Sequence, residues 1–229
     1  MSERQLWTVS LGSVSYAEAL ELQRALARDR LSGAIPQDVL LLVEHPPVIT
    51  LGRSSKDNHL LASPEFLATK GVELFEVERG GDVTFHGPGQ LVGYPIMDLK
   101  RHKRDLHWYL RQLEQALIGV LDTFGIAGEQ SKGQTGVWTG GRKIASIGVH
   151  ARDWVTWHGF ALNVTTDLSF FDLIVPCGLS GVVMTSMARE LGTDPGAEEV
   201  RRIVAETFAA AFELSPVSTP RSALLQTAA

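Results

Sequence analysis

The chain has 229 residues, of which 44% are hydrophobic and 21% charged, enough apolar mass for one sizeable core. Its formal charge of −5 offers no global positive field to hold nucleic acid or an anionic membrane, so neither is expected as a partner, and an acidic partner must dock on a local patch. A single cysteine excludes an internal disulfide, and the start MSERQLWTVS carries no basic, apolar leader, so a reducing, cytoplasmic address is expected.

In chain order, Leu6 to Gly12 reads as a strand, and Ser15 caps a helix whose leucines Leu22 and Leu26 recur at helical spacing up to Gly33. Val39 to Val43 is an unbroken apolar run between Asp38 and the His45-Pro46-Pro47 break, hence a strand buried on both faces, with a second strand from Val48 to Leu51. Ser63 to Lys70 fits a short helix with Pro64 in its first turn and Gly71 past its end. Asp105 opens the clearest helix, with Leu106, Tyr109, Leu110, Leu113, Leu117, Val120, Leu121 and Phe124 on one stripe before Gly125.

Residues 142–150 and 154–164 read as paired strands, and a last helix spans about 196 to 212 around Val200, Ile203, Val204 and Phe208. Beyond Ser215 no periodicity remains, so one catalytic domain is expected over residues 1–214, with 215–229 as a flexible tail. Strands and helices mix without regular alternation. The expected class is α+β, a single domain with a mixed β-sheet flanked by helices.

Three segments carry chemistry. The first runs from Arg79 through Gly80, Gly81, Asp82, Val83, Thr84, Phe85 and His86 to Gly89-Gln90 and Tyr94. Paired glycines ahead of a short strand expose backbone N–H groups that suit an acyl carbonyl or a carboxylate, although glycines in a plain hairpin look the same. In the second, Lys143 shares a strand face with Ala145, Ile147 and Val149. Such a lysine either snorkels from a sheet edge or is held in an apolar site. Gly148, and Gly159 on the partner strand, open a slot beside it.

The third is Pro176-Cys177-Gly178. A lone cysteine is often an inert core residue, but a nucleophile needs rigid presentation beside an unobstructed backbone donor, which Pro176 and Gly178 offer. His45, His86 and His158, each next to Pro or Gly, compete as bases or serve as structural hydrogen-bonders. No spacing reads as a metal site, since His158 lacks a second His or Cys at ligand distance, so no metal is expected.

Together the segments resemble the octanoyl/lipoyl transferase family, through Arg79-Gly80-Gly81, Thr84, His86, Gly89-Gln90, Lys143-Ile144-Ala145-Ser146, His158-Gly159-Phe160-Ala161-Leu162-Asn163 and Pro176-Cys177-Gly178. The likeness is nearly continuous from Leu40 to Thr185. It implies the fold of biotin and lipoate ligases and transfer of an octanoyl group from acyl carrier protein. The implied acceptors are lysines on the lipoyl domains of 2-oxoacid dehydrogenase complexes and the glycine cleavage H protein.

By the same resemblance Cys177 forms the acyl thioester and Lys143 shuttles protons. Arg79 to His86, Ser146-Ile147-Gly148 and Gly159-Phe160-Ala161 line the acyl site, for which Phe85, Ile147 and Phe160 are the expected apolar walls. No cofactor is implied. The competing readings are an ATP-dependent lipoate or biotin ligase, which needs no thiol, a Cys-His hydrolase, and a lipoyl-domain binder with a dead site. The run Lys100-Arg101-His102-Lys103-Arg104, the densest basic stretch, reads either as a dock for an acidic carrier or as a solvated loop ahead of the helix.

Overall fold

The computed structural model describes residues 4–178 and 181–225, with the side chains of Asp57, Cys177 and Leu225 outside that description. In chain order the elements are β1 (Gln5–Ser13), α1 (Tyr16–Ser32), β2 (Asp38–Glu44), β3 (Val48–Leu51), α2 (Pro64–Thr69), β4 (Glu73–Glu76), β5 (Val83–His86), β6 (Gln90–Ile96) and α3 (Leu106–Thr123). There follow β7 (Glu129–Ser131), β8 (Gln134–Thr139), β9 (Arg142–Arg152), β10 (Val155–Asn163), α4 (Met187–Leu191), α5 (Ala197–Ala211), β11 (Ser215–Ser218) and α6 (Arg221–Leu225). The main sheet has eight strands in the order β11-β1-β2-β6-β10-β9-β8-β7, and a second sheet has three in the order β4-β3-β5. Pairing is mixed, parallel for β1 with β2 and β11 and antiparallel from β2 through β6, β10 and β9.

The apolar run of β2 is explained by two cores. Val39, Leu41 and Val43 join Ala19, Leu26 and Ala27 of α1 on one face, while Leu40 and Leu42 meet Tyr109, Leu113 and Leu117 of α3 and Val204 and Phe208 of α5 on the other. The period of two thus serves a sheet covered by helices on both sides. Helix starts follow the expected chemistry. Ser15 accepts from the Glu18 N–H at 3.2 Å, Ser63 from Phe66 at 3.3 Å and Asp105 from Trp108 at 3.0 Å.

The segment from Ser215, expected as a frayed tail, instead adds β11 parallel to β1, with Leu6 opposite Pro216, and ends in the short helix α6. Four residues are too few to show a period, and a proline is tolerated because the strand lies at the sheet edge.

One buried ionic cluster locks α1 to β2. Both Arg30 Nε and Nη2 donate to Asp38 Oδ1 (3.1 and 2.9 Å), and His102 Nε2 lies 2.7 Å from Asp38 Oδ2. Burial alone would raise the Asp38 carboxyl, but the His102 hydrogen bond and the Arg30 charge outweigh it and hold it below its usual value. Asp38→Ala would leave a buried guanidinium unpaired, and we expect it to cost about 3–5 kcal/mol in urea unfolding at neutral pH. Because the folded carboxyl is depressed, its contribution is complete above the ordinary carboxylate value of about 3.9 and is lost as pH falls through the folded value. Unfolding midpoints against pH should therefore converge for the two proteins in acid.

Candidate active site

The two triplets expected in the site are register partners. Across the β9–β10 pair, Gly148 faces Gly159, Ile147 faces Phe160 and Ser146 faces Ala161. The glycine loop ahead of β5 closes over them. Gly80 N donates to Val149 O at 2.8 Å, and a Cβ on Gly148 would sit 2.8 Å from Gly80 O, so glycine is needed there for the close approach. Arg79 pins the loop to β3, donating from Nη2 to Thr50 O at 2.7 Å and Oγ1 at 2.9 Å, and from Nη1 to Gly80 O at 3.1 Å.

Between these pieces lies a cavity of about 260 Å³. Of the expected residues, Arg79, Gly81, Asp82, Val83, Thr84, His86, Lys143, Ser146, Ile147, Gly148, Gly159, Phe160 and Ala161 border it, together with Tyr16, Tyr94, Gln134, Thr135 and His158. Gly80 and Phe85 are not on its wall. Phe85 turns to the other side of its strand and stacks on Phe170, with ring centroids 4.7 Å apart, in the core under the small sheet. Alternation along β5, with Thr84 and His86 toward the cavity, requires this.

Lys143 is 1% exposed, so it is not a snorkelling edge residue. Its Nζ donates to Thr135 O at 3.2 Å and lies 4.8 Å from the Trp138 ring centroid. Its backbone is tied to the segment after the cysteine turn, since Lys143 N donates to Val183 O (2.8 Å) and Thr185 N to Lys143 O (2.9 Å).

Cys177 sits in a single 3₁₀ turn, Pro176–Gly178, and its side chain lies outside the described residues. The expected free donor at Gly178 is not free. Gly178 N donates to Val175 O at 2.9 Å, closing the turn. An oxyanion must therefore find another donor.

The sequence reading names Asp82 but misses its partner, His59. His59 Nδ1 lies 2.7 Å from Asp82 Oδ2, and Asp82 Oδ1 accepts from Val83 N at 2.7 Å. The cysteine turn rests on this pair, because a Cβ on Gly178 would come 2.4 Å from Asp82 Oδ2, and Val175 N donates to His59 O at 2.8 Å. No local pattern marks His59, which follows a polar stretch with no period.

The three competing histidines are buried. His45 donates from Nδ1 to Val14 O (2.8 Å), so its Nε2 accepts from Tyr94 Oη (2.8 Å), and burial lowers its pKa to about 4. His86 lies 2.8 Å from Gln90 Oε1, and burial brings it to about 3. His158, with a left-handed φ of 57°, is shifted downward by burial, and its ring nitrogens have no hydrogen-bond partner among the described residues; the Glu78 carboxylate is 3.8 Å away. His45 and His86 are therefore weak bases at neutral pH. Among the described residues no group of three His, Cys, Asp or Glu could hold a metal.

The cavity is thus floored by two antiparallel strands and roofed by a glycine loop, and the family model of the lipoyl protein ligase A/B catalytic domain matches residues 15–209. An octanoyltransferase of Solibacter usitatus is 54% identical over 203 residues, covering 89% of this chain and 91% of that one. Another, from Gloeobacter violaceus, is 51% identical over 201 residues, covering 88% and 87%. The fold also matches a lipoate-protein ligase A solved with ATP, at a TM-score of 0.77 and 15% identity over 98% of this chain and 93% of that one. A biotin protein ligase from Aquifex aeolicus with biotin and ATP matches at 0.52 and 13%, over 91% and 70%. The chain belongs to the octanoyltransferase family.

Proposed function

We propose that the enzyme stores an octanoyl group on Cys177, with Lys143 as its acid/base partner, and passes it to a lysine of a lipoyl domain. Octanoyl transfer in protein lipoylation is the activity of the family to which the chain belongs. What supports the dyad is the buried Lys143 amine at the cavity wall, on a strand hydrogen-bonded to the segment that follows the cysteine turn.

In the first half-reaction Lys143 takes the Cys177 proton and the thiolate attacks the carrier's phosphopantetheine thioester; the carbon–sulfur bond to the carrier breaks and its thiolate receives the proton from Lys143. In the second, the acceptor lysine, having lost its ammonium proton to solvent, attacks the Cys177 thioester. The new carbon–nitrogen bond replaces the carbon–sulfur bond, and the remaining excess proton passes through Lys143 to the Cys177 sulfur. Protonated Lys143 is also the cation best placed for the oxyanion, since the Gly178 N–H is occupied. Thioester exchange is nearly balanced and the amide is more stable, so no ATP is required.

The donor is an octanoyl-acyl carrier protein, the acceptors are lipoyl domains of 2-oxoacid dehydrogenase complexes and the glycine cleavage H protein, and the site of action is the cytoplasm. No helix among the described residues is long and apolar enough to cross a membrane. Intact-mass analysis after mixing with octanoyl-carrier should show one acyl adduct on the wild type and none on Cys177→Ser. An adduct surviving in that variant would overturn the assignment. Modification of a lipoyl domain by free octanoate plus ATP, without carrier, would make the enzyme a ligase instead.

A further inference from the structure

Helix α3 carries an acid where its stripe calls for an apolar side chain. Glu114 lies one helical turn from Leu110 and from Leu117, both on the stripe, and is 0% exposed. A carboxylate taken out of water is unfavourable unless its oxygens are hydrogen-bonded, and an apolar residue of similar size at such a place is often at least as stabilising. The core alone gives no reason for an acid here. Its two oxygens meet different neighbours. Oε2 accepts from Arg111 Nη1, one turn back on α3, whose side chain is 48% exposed, while Oε1 accepts from the buried Gly136 N of β8 at 3.1 Å.

Gly136 N and Thr135 O are the two ends of one peptide group. That carbonyl accepts from Lys143 Nζ at 3.2 Å, so a single chain of hydrogen bonds runs from α3 through β8 to the Lys143 amine on β9. The peptide is planar and its N–H and C=O point in opposite directions, so a partner fixed at one end sets the direction of the other. A carboxylate on the N–H also polarises the carbonyl toward the amine. The ladders around this peptide are irregular, with register shifts between Val137 and Trp138 against β9 and between Glu129 and Ser131 in the β7–β8 pair. Its plane is fixed instead by Glu114. Gly136, with φ 136°, completes the seat. A Cβ there would lie 2.8 Å from Lys143 Cε, 3.2 Å from Nζ and 2.6 Å from Ala145 O, so the lysine occupies the space that a larger residue would take.

We infer that Glu114 is a positioning residue for octanoyl transfer, which acts through the Thr135–Gly136 peptide to hold the Lys143 amine in the orientation from which it serves Cys177. The inference rests on the reading of Lys143 as the acid/base partner of Cys177. Glu114 does not border the cavity, so its effect falls on the rate and not on substrate binding.

The test uses four variants. Glu114→Leu keeps the volume and completes the apolar stripe but removes the acceptor, and Glu114→Ala stands in for it if leucine disturbs the fold. Glu114→Gln keeps an oxygen for Gly136 N without the charge, and Arg111→Ala breaks the surface pair while leaving the inner bond. In Glu114→Leu, kcat for octanoyl transfer should fall by about 10- to 10²-fold with the KM for octanoyl-carrier unchanged. Alkylation of Cys177 should move toward higher pH, as in Lys143→Ala. Glu114→Gln and Arg111→Ala should keep a kcat close to that of the wild type, and Glu114→Leu added to Lys143→Ala should cost nothing further. A wild-type kcat in Glu114→Leu, a Gln variant as slow as the Leu variant, a rise in KM instead, or a full further loss in the absence of Lys143 would each overturn the inference. A Lys143→Ala enzyme with the wild-type alkylation profile would overturn the reading of Lys143 itself.

Discussion

Lys143→Arg should slow octanoyl transfer by roughly 10²- to 10⁴-fold, the usual contribution of a general acid/base. Arginine keeps a positive charge but does not release a proton near neutral pH, so it still favours a thiolate while losing the shuttle. Because the amine is buried against Thr135 O and the Trp138 ring, the larger guanidinium could disturb packing, and Lys143→Ala serves as the second variant. Alkylation of Cys177 by iodoacetamide across pH separates the roles. In Lys143→Ala the thiol should react only at higher pH, whereas His86→Ala and His158→Ala should leave the profile close to wild type. The reverse pattern would assign the base to a histidine, which the low values of the buried His45 and His86 argue against.

Gly178→Ala should slow Cys177 acylation by about 10²-fold while leaving the protein folded. Gly178 has φ 65°, where an alanine costs about 1–2 kcal/mol, and its new Cβ would lie 2.4 Å from Asp82 Oδ2 and 2.8 Å from His59 Cε1. Neither neighbour can yield easily, since the two are bonded to each other and Asp82 is bonded to Val83 N. The cysteine turn must shift instead, and a displacement of about 1 Å at a reacting group costs on the order of 10²-fold. The control is Gly181→Ala, with φ 84° but nothing within 4 Å of its Cβ. It carries the backbone strain without the collision. Melting temperatures of the two variants should fall by a similar few degrees, while only Gly178→Ala shows slowed burst-phase acylation. Equal acylation by both would mean that the turn does not depend on the Asp82–His59 seat.

The helices were legible because their signals are local: a capping side chain, a 3.6-residue stripe and a glycine beyond the end, as at Asp105 and Gly125 for α3. The two-faced burial of β2 was legible for the same reason. What stayed hidden depends on residues far apart in the chain. His59 gains meaning only because Gly178 is packed on it, more than a hundred residues later, and β11 exists only because β1 offers an open edge. Phe85 is expected as a wall because it lies among residues that do border the cavity, but alternation along a four-residue strand sends it to the opposite core. The donor attributed to Gly178 failed for a simpler reason. A 3₁₀ turn uses that N–H to close itself.

The engagement of Arg79 has a consequence for redesign. Its guanidinium is hydrogen-bonded to Thr50 and Gly80, so the one cation of the glycine loop braces the roof of the cavity it borders. The volume beneath is set by different residues, Ile147 and Phe160, which face each other across β9 and β10. Frame and lining are therefore separable parts. Acyl length can be retuned by exchanging those two side chains for smaller ones with the brace intact, while a change at Arg79 would loosen the roof for every chain length alike.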